Sequence, residues 1–169
     1  MRRYLFTGIV AVIAALLFLR PVAAEEDINT IKIRSLLSNE ASAWNRGRAG
    51  TILSSYASSF AGYSGKRSND PRKWEVTFSS KEEFKDFVEK RLSSMSYSVE
   101  RRVLYINYRG DRAICLTRDS GKTTYKETGQ ERSFERYTLW TLVKEDDEWK
   151  VTSFIFDLAL PEEEEEKEG

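Results

Sequence analysis

The chain has 169 residues, with 27 basic and 27 acidic side chains and no histidine. This length accommodates one domain, and the lack of a basic excess argues against a protein that coats nucleic acid. The missing histidine excludes histidine-based catalytic sites and His-ligated zinc, and the single cysteine excludes an intramolecular disulfide and a thiolate cluster. We therefore expect no metal site and no cofactor.

The first 24 residues differ in composition from the rest. Arg2 and Arg3 precede an uncharged stretch, residues 4–19, and small residues at 22–24 precede Glu25. This layout is typical of a cleavable secretory signal, and the stretch is short for a membrane span of about 20 residues. It predicts a signal peptide over 1–24, a secreted or periplasmic protein, and no stable membrane insertion after cleavage. An uncleaved N-terminal anchor with an extracytoplasmic domain is the alternative.

The remaining chain divides into a domain over residues 25–160 and an acidic tail over 161–169. Adjacent glutamates repel one another, so the tail is predicted to be disordered and solvated. Loose binding of divalent cations or of a basic partner is the alternative. A domain of this length can bury a sufficient core without disulfides, and their absence suits a bacterial envelope protein better than a small eukaryotic secreted module.

The first half of the domain has helical spacing. Residues 27–45 are predicted to form a helix, because apolar residues recur every three or four positions. That stripe consists of Ile33, Leu36, Leu37, Ala41 and Trp44. Residues 49–59 predict a second, shorter helix that buries Tyr56, and the turn formers of residues 62–71 predict a loop.

A third helix and four strands complete the domain. Residues 74–78 predict a short extended segment, and Ser79 or Ser80 predicts the N-cap of a helix that runs to about Met95. The period then falls to two, and this predicts strands near 98–108, 112–125, 133–144 and 148–158 with short turns. We expect an α+β fold in which N-terminal helices pack on one face of an antiparallel sheet of four or more strands.

This order of weak motifs resembles the nuclear transport factor 2-like superfamily over residues 27–158. The matching residues are Ala41, Trp44-Asn45, Tyr56-Ala57, Phe60, residues 110–113 and Trp149-Lys150-Val151. The resemblance is greatest to secreted bacterial domains, including the accessory domain of periplasmic L,D-transpeptidases. It implies a cone, in which a curved sheet wraps around helices and a pocket opens at the wide end. Some members are ketosteroid isomerase-like or scytalone dehydratase-like enzymes, whereas others bind ligands or dimerise, so the fold does not decide the function.

An isomerase of this kind needs a carboxylate base and donors to an oxyanion. Two catalytic candidates stand out: Glu40 lies within the apolar stripe of the first helix, and Asp157 ends an aromatic-rich strand. Asp119 and Glu135 are further carboxylates to consider, and the donor candidates are Tyr56, Tyr63, Tyr137 and Arg136. The alternative is that Glu40 lies at the edge of the stripe and that Asp157 pairs with a surface arginine.

Aromatic side chains suit the wall of a ligand pocket. The pocket candidates are Trp44, Tyr56, Tyr63, Trp74, Arg136 and Tyr137. Trp74 adjoins the loop that is expected near the mouth of the pocket. Ordinary core packing is the alternative for each tryptophan.

Three other features have structural explanations. Cys115 lies in mid-strand and is predicted to be a buried, inert thiol. Arg109-Gly110-Asp111 matches an adhesion tripeptide but is predicted to be a hairpin turn. The basic residues of the first hairpin predict a solvated sheet face; they are Arg101, Arg102, Arg109, Arg112 and Arg118.

Two classes of function follow. The first is a non-enzymatic secreted or periplasmic domain that binds a small ligand or an envelope protein and forms a homodimer through the exposed sheet face. An accessory module of cell-wall enzymes is a variant of it. The second is a small-molecule isomerase or dehydratase that uses a pocket carboxylate without histidine.

Overall fold

The computed structural model describes residues 27–159, which contain three α-helices and six strands. The helices are α1 (Ile28–Asn45), α2 (Ala49–Ser54) and α3 (Lys81–Ser94). The strands are β1 (Tyr56–Ser64), β2 (Glu75–Phe78), β3 (Met95–Arg109), β4 (Arg112–Tyr125), β5 (Glu131–Glu145) and β6 (Glu148–Leu158). The predicted signal peptide and acidic tail lie outside the described residues. The core, the sheet and the pocket discussed below lie in the compact unit that begins at Lys32. Of the residues before Lys32, the structure describes Asp27 and the first turn of α1.

The six strands form one sheet in the order β2-β1-β6-β5-β4-β3. Its larger part is the predicted antiparallel meander of β3, β4, β5 and β6. Irregularities in the β3–β4 and β5–β6 registers bend the strands and curve the sheet. The predicted α+β fold, with helices packed on a curved sheet, is confirmed.

The antiparallel prediction is wrong at one strand pair. β1 runs parallel to β6, and β2 then pairs antiparallel with β1. A parallel pair needs a long crossover, and here β2, α3 and three further strands lie between the two partners in sequence. Nothing in the spacing of nearby residues reveals a pairing over that separation.

The second helix is shorter than predicted. α2 ends at Ser54, and the next residues, including Gly62, belong to β1. A short apolar run fits a helical and a strand spacing equally well. The strand brings its glycine close to other elements, since a Cβ on Gly62 would lie 2.6 Å from Phe78 and 3.0 Å from Phe154.

The third helix begins where its capping residues predict. The Ser80 hydroxyl accepts a hydrogen bond from the backbone N–H of Glu83, and the Glu83 carboxylate accepts one from the backbone N–H of Ser79. This reciprocal arrangement satisfies donors that a helix start leaves free. It fixes the orientation in which α3 presents Phe84 and Val88, both buried, to the sheet.

Aromatic rings fill the space between the helices and the sheet. Phe60, Phe84 and Phe154 lie with ring centroids 5.0 to 5.7 Å apart, the spacing of favourable edge and tilted contacts. Ile33 and Leu37 of α1 are fully buried against the same core. Between residues 27 and 159, no helix combines the length and the apolar character that a membrane crossing requires.

Two local predictions are also confirmed. Gly110 and Asp111 form the tight turn between β3 and β4, and Gly110 takes the positive φ of 62° that this turn needs. Cys115 is fully buried, and burial raises the pKa of its thiol to about 12, so it is an inert group in the folded protein.

Candidate ligand pocket

A pocket of about 300 Å³ opens between α3, β2 and the inner face of the sheet. Most of its wall is aromatic. The lining residues are Glu40, Trp44, Tyr56, Thr77, Phe78, Phe84, Phe87, Arg91, Arg101, Arg136, Thr138, Trp140, Phe154 and Phe156. Volumes of about 300–1,000 Å³ and largely apolar walls are usual for small-molecule sites.

Strand register explains why several of these residues meet. Arg101 of β3, Asp119 of β4 and Arg136 of β5 are direct cross-strand neighbours and form one row. Residues two positions apart in a strand share a face. The next row along β4 and β5 therefore adds Thr117 and Thr138 to the same inner face.

Glu40 forms the inner end of the pocket, where it is 1% exposed. Its Oε1 accepts hydrogen bonds from Trp44 Nε1 and from the Tyr56 hydroxyl, each at 2.8 Å. Its Oε2 lies 2.6 Å from Arg101 Nη1 in an ion pair. Trp44 reaches Glu40 because it lies one helical turn further along α1.

Arg101 joins that carboxylate to a second one. Its side chain is 3% exposed, and its Nε and Nη2 each donate to Asp119 at 2.8 Å, while Nη1 also donates to the Leu37 carbonyl at 3.0 Å. Burial acts to lower the pKa of Arg101, but Glu40 and Asp119 outweigh it and hold the pKa above its ordinary value. The guanidinium also lies 4.6 Å from the ring centre of Trp140.

The buried network closes through hydroxyl groups. Thr117 Oγ1 donates to Asp119 at 3.1 Å and accepts from Trp140 Nε1 at 2.9 Å. Burial, and then the nearby Glu40 charge, raise the pKa of Tyr56 well above its ordinary value, so its hydroxyl stays protonated and donates. We call the side chains of Glu40, Arg101, Asp119, Tyr56, Trp44 and Thr117 the inner network.

The outer part of the pocket has two arginines in a different state. Arg136 is 41% exposed in its side chain, its Nη2 is 4.0 Å from Asp119 Oδ2, and its buried Nε has no hydrogen-bond partner. Arg91 donates to the thioether of Met95 at 3.3 Å and lies 5.1 Å from the ring centre of Phe87. Within residues 27–159, neither guanidinium donates a hydrogen bond to a carboxylate.

The structure brings four of the predicted site residues together. Glu40, Trp44, Tyr56 and Arg136 all line the pocket. Tyr63, Trp74 and Tyr137 do not belong to its lining, and the Trp74 indole donates instead to the Ser68 carbonyl.

The other predicted carboxylates lie elsewhere. Asp157 is outside the pocket lining, 39% exposed and 3.9 Å from Arg67. Asp119 lies beside the pocket and binds Arg101, and Glu135 forms a half-exposed pair with Arg118. The prediction of a catalytic role for Glu40 or Asp157 stays a prediction.

The solvated-face prediction is wrong for Arg101. Arg102, Arg109, Arg112 and Arg118 are exposed, whereas the side chain of Arg101 is buried between two carboxylates. A signal for this was present: Arg101 alternates with Arg102 and shares the face of Val99 and Val103. Phe84, Phe87 and Arg91 were likewise detectable, since their spacing of three and four residues puts them on one helix face.

No group of three or more potential metal ligands occurs among the described residues. No protein-family model matches the chain, and no curated protein matches it by sequence.

Solved structures do match, at low sequence identity. A ketosteroid isomerase-like protein from Erwinia carotovora atroseptica SCRI1043 is 14% identical, with a TM-score of 0.64 over 80% of this chain and 98% of that one. A conserved protein from Planctomyces limnophilus DSM 3776 is 16% identical, with a TM-score of 0.67 over 79% of this chain and 97% of that one. An NTF-2 like protein of unknown function from Shewanella oneidensis MR-1 is 17% identical, with a TM-score of 0.59 over 76% and 98%.

These likenesses confirm the nuclear transport factor 2-like fold that the sequence predicts. At such identities they describe the fold, and the function has to be argued from the site. The finer resemblance to the accessory domain of L,D-transpeptidases stays a prediction.

Proposed function

We propose that this protein is a secreted or periplasmic binding domain that holds a small, largely aromatic ligand in the pocket and does not catalyse a reaction on it. The observation that carries this proposal is the state of Glu40. Of the residues that line the pocket it is the one carboxylate, and an ion pair and two further hydrogen bonds occupy its oxygens.

The pocket wall indicates the kind of ligand. Phe84, Phe87, Phe154 and Phe156 offer ring faces and edges, and Thr138 adds a hydroxyl. An apolar cavity of about 150 Å³ is large enough for benzene. A pocket of about 300 Å³ therefore suits a ligand of one or two rings.

The same geometry argues against catalysis by this carboxylate. A general base must present a free lone pair within hydrogen-bond reach of the proton that it removes. Arg101, Tyr56 and Trp44 already donate to three of the roughly four acceptor sites of the Glu40 carboxylate, so little of it is left for a substrate. Tyr56, the nearest candidate for oxyanion stabilisation, already donates its hydroxyl hydrogen bond to Glu40.

A titration with a neutral aromatic probe tests the binding proposal. Protein purified from cells that express the full chain is titrated with naphthalenemethanol in a calorimeter, and we expect saturable binding at one site. Thr77 is exposed and lines the pocket, so Thr77→Trp should weaken binding at least tenfold by filling the mouth. Val76→Trp is the matched control, because Val76 is 63% exposed and outside the lining. No saturable binding, or equal binding by both variants, would refute the proposal.

The location is proposed from the N-terminal sequence. The basic start, the uncharged stretch and the small residues before Glu25 support export with cleavage after Ala24. We expect the chain in the extracytoplasmic fraction with an intact mass that begins at Glu25. Full-length chain in the cytoplasmic fraction would contradict the proposal.

An isomerase or dehydratase is the second candidate. Two observations favour it: Glu40 reaches the pocket, and one structural neighbour is named a ketosteroid isomerase-like protein. The test is proton exchange in heavy water at the carbon beside the carbonyl of small cyclic ketones. Exchange that the wild type accelerates and Glu40→Gln abolishes would establish this candidate and overturn the first.

The outer face of the sheet supports a homodimer. Tyr105, Leu116 and Leu139 are cross-strand neighbours on the face opposite the pocket row, and Ile114 beside them is 43% exposed. An apolar patch that meets its own copy across a two-fold axis is self-complementary. We propose that a second copy covers it. Sedimentation should give a dimer for the wild type and a monomer for Ile114→Glu; a monomeric wild type would exclude this interface.

A further inference from the structure

We propose that the pocket is selective for an aromatic ligand with a single carboxylate group, which Arg136 and Arg91 bind at the outer part of the pocket. This inference rests on the proposed ligand-binding function and specifies the ligand class of the same site.

The first argument is the set of unused donors on Arg136. A guanidinium carries five N–H donors in a planar fork that fits a carboxylate. Within residues 27–159, Arg136 donates none of them in a hydrogen bond, and its Nε is buried without a partner. A ligand cannot reach the buried Nε, whereas the Nη1 and Nη2 donors belong to a side chain that is 41% exposed and lines the pocket, so they are available to a ligand. The rings of Phe134 and Phe156, 5.3 and 6.0 Å from the guanidinium, hold it in position.

Arg91 supplies a second cation to the same pocket from α3. The one hydrogen bond that its guanidinium donates in the described chain goes to a thioether, which is a weak acceptor. Both guanidinium groups also act on Tyr97, where burial raises the pKa of the phenol and the charges of Arg91 and Arg136 oppose that rise. An anion bound at this end therefore has donors from two sides.

The charge balance selects an anion of one charge. Three guanidinium groups line the pocket, those of Arg91, Arg101 and Arg136, and two buried carboxylates, Glu40 and Asp119, contact them. The group thus carries an excess of one positive charge. A cleft with low-dielectric walls and an excess of one sign of charge attracts a ligand of the opposite sign. A carboxylate balances the excess, whereas a phosphate, with about two negative charges, overshoots it.

The aromatic wall sets the rest of the ligand. Phe156 lies within cation–π range of Arg136, and Phe87 within that of Arg91, so each arginine adjoins a ring of the wall. A ligand whose carboxylate bridges the two arginines extends its apolar part between those rings toward Phe84 and Trp140. A planar aromatic acid meets both requirements.

Four probes of one shape test the inference: naphthoate, neutral naphthalenemethanol, cationic naphthylmethylammonium and naphthyl phosphate. We expect naphthoate to bind at least tenfold more tightly than the alcohol at pH 7. Replacing a neutral hydrogen bond by a charge-assisted one increases binding affinity by about that factor. The cation should bind least, and the phosphate more weakly than naphthoate. Tighter binding of the phosphate would overturn the single-charge inference.

Matched arginine variants locate the effect. Arg136→Gln should reduce the naphthoate-to-alcohol affinity ratio to about threefold or less, and Arg91→Gln should reduce it by a smaller factor. Arg102→Gln removes the same charge from an exposed position outside the pocket and should keep the wild-type ratio. A wild type that binds both probes equally, or a ratio that survives both pocket variants, overturns the inference and leaves the binding function standing. If none of the four probes binds, the proposed function fails and the inference falls with it.

Discussion

Arg101 and Arg136 occupy the same cross-strand row, one on each side of Asp119, yet their surroundings differ. Arg101 donates to two carboxylates and a carbonyl and is 3% exposed in its side chain. Arg136 is 41% exposed and donates to no carboxylate in the described chain. Asp119 lies between the two arginines but accepts hydrogen bonds from Arg101 only.

This difference separates a structural role from a binding role. The buried guanidinium of Arg101, on β3, binds Glu40 of α1 and Asp119 of β4 and so joins these three elements. Removing any one of the three side chains would take a partner of opposite charge from a buried charged group. A half-exposed guanidinium with unused donors contributes little to folding. It is therefore free to bind an anion that enters from outside.

Replacing Arg101 should have the largest effect. Arg101→Met leaves Glu40 and Asp119 facing each other in the interior without their cation, so the free energy of unfolding should fall by about 3–5 kcal/mol. Arg136→Met should change it by less than about 1 kcal/mol. Urea unfolding at pH 7, followed by tryptophan fluorescence, measures both.

Arg102→Met is the control for this pair, since Arg102 is exposed and adjacent in sequence. The free energy of unfolding of this variant should lie within about 0.5 kcal/mol of that of the wild type. If Arg136→Met proved as destabilising as Arg101→Met, both arginines would hold the fold and the division of roles would be wrong.

The sequence predicts those parts of the fold that depend on local spacing. Three helix starts and four strand runs follow from periods of 3.6 and two and from caps such as Ser80, and the structure has all of them. The parallel pairing of β1 with β6 was missed because it joins residues such as Tyr56 and Val151, which are far apart in sequence. The α2 boundary was missed because its apolar run is too short to distinguish the two periods.

The inner network shows a similar limit. Glu40 was singled out because a charge within an apolar stripe has to be explained, and it does reach the pocket. Its partner Arg101 is 61 positions away in sequence. The alternation of residues in β3 predicts that Arg101 lies on the inner face, but it does not predict that two carboxylates lie within hydrogen-bond distance there. Which arginine donates hydrogen bonds to Asp119 and which keeps unused donors depends on how three elements meet, and no single segment encodes that.

Neutralising Glu40 should have the next largest effect. Glu40→Gln keeps the size of the side chain but has one neutral amide oxygen, which faces either Tyr56 and Trp44 or Arg101, so that its NH2 group meets donors on the other side. Because Arg101 retains both hydrogen bonds to Asp119, the loss should be about 2–3 kcal/mol, smaller than for Arg101→Met. Urea unfolding tests the order of the two, and a reversed order would mean that Asp119 alone does not hold Arg101.

Tyr56→Phe should cost less again, about 1.5 kcal/mol, since Glu40 keeps Trp44 and Arg101. The raised pKa of Tyr56 adds a pH dependence. Above pH 10 the unfolded chain releases this proton and the folded protein does not, so wild-type stability should fall more steeply with pH than that of the variant. Tyr105→Phe removes a hydroxyl from a half-exposed outer position and is the control; at pH 7 its free energy of unfolding should lie within about 0.5 kcal/mol of that of the wild type. If the free energy of unfolding of the wild type and of Tyr56→Phe fell equally with pH, the hydrogen bond between Tyr56 and Glu40 would be contradicted.

Cys115 lies on the inner face opposite Trp140, so chemical labelling of its thiol reports opening of the region around the inner network. Burial raises the pKa of its thiol to about 12, so at pH 8 the folded protein should react very slowly with iodoacetamide and the urea-unfolded chain rapidly. Glu40→Gln should accelerate labelling by about tenfold for each 1.4 kcal/mol of lost stability, because labelling then follows the opened state. Arg136→Gln should change the rate by less than about fivefold, the factor that corresponds to about 1 kcal/mol. Equal acceleration by the two variants would place Arg136 in the inner network and remove the basis for reading it as a free anion-binding group.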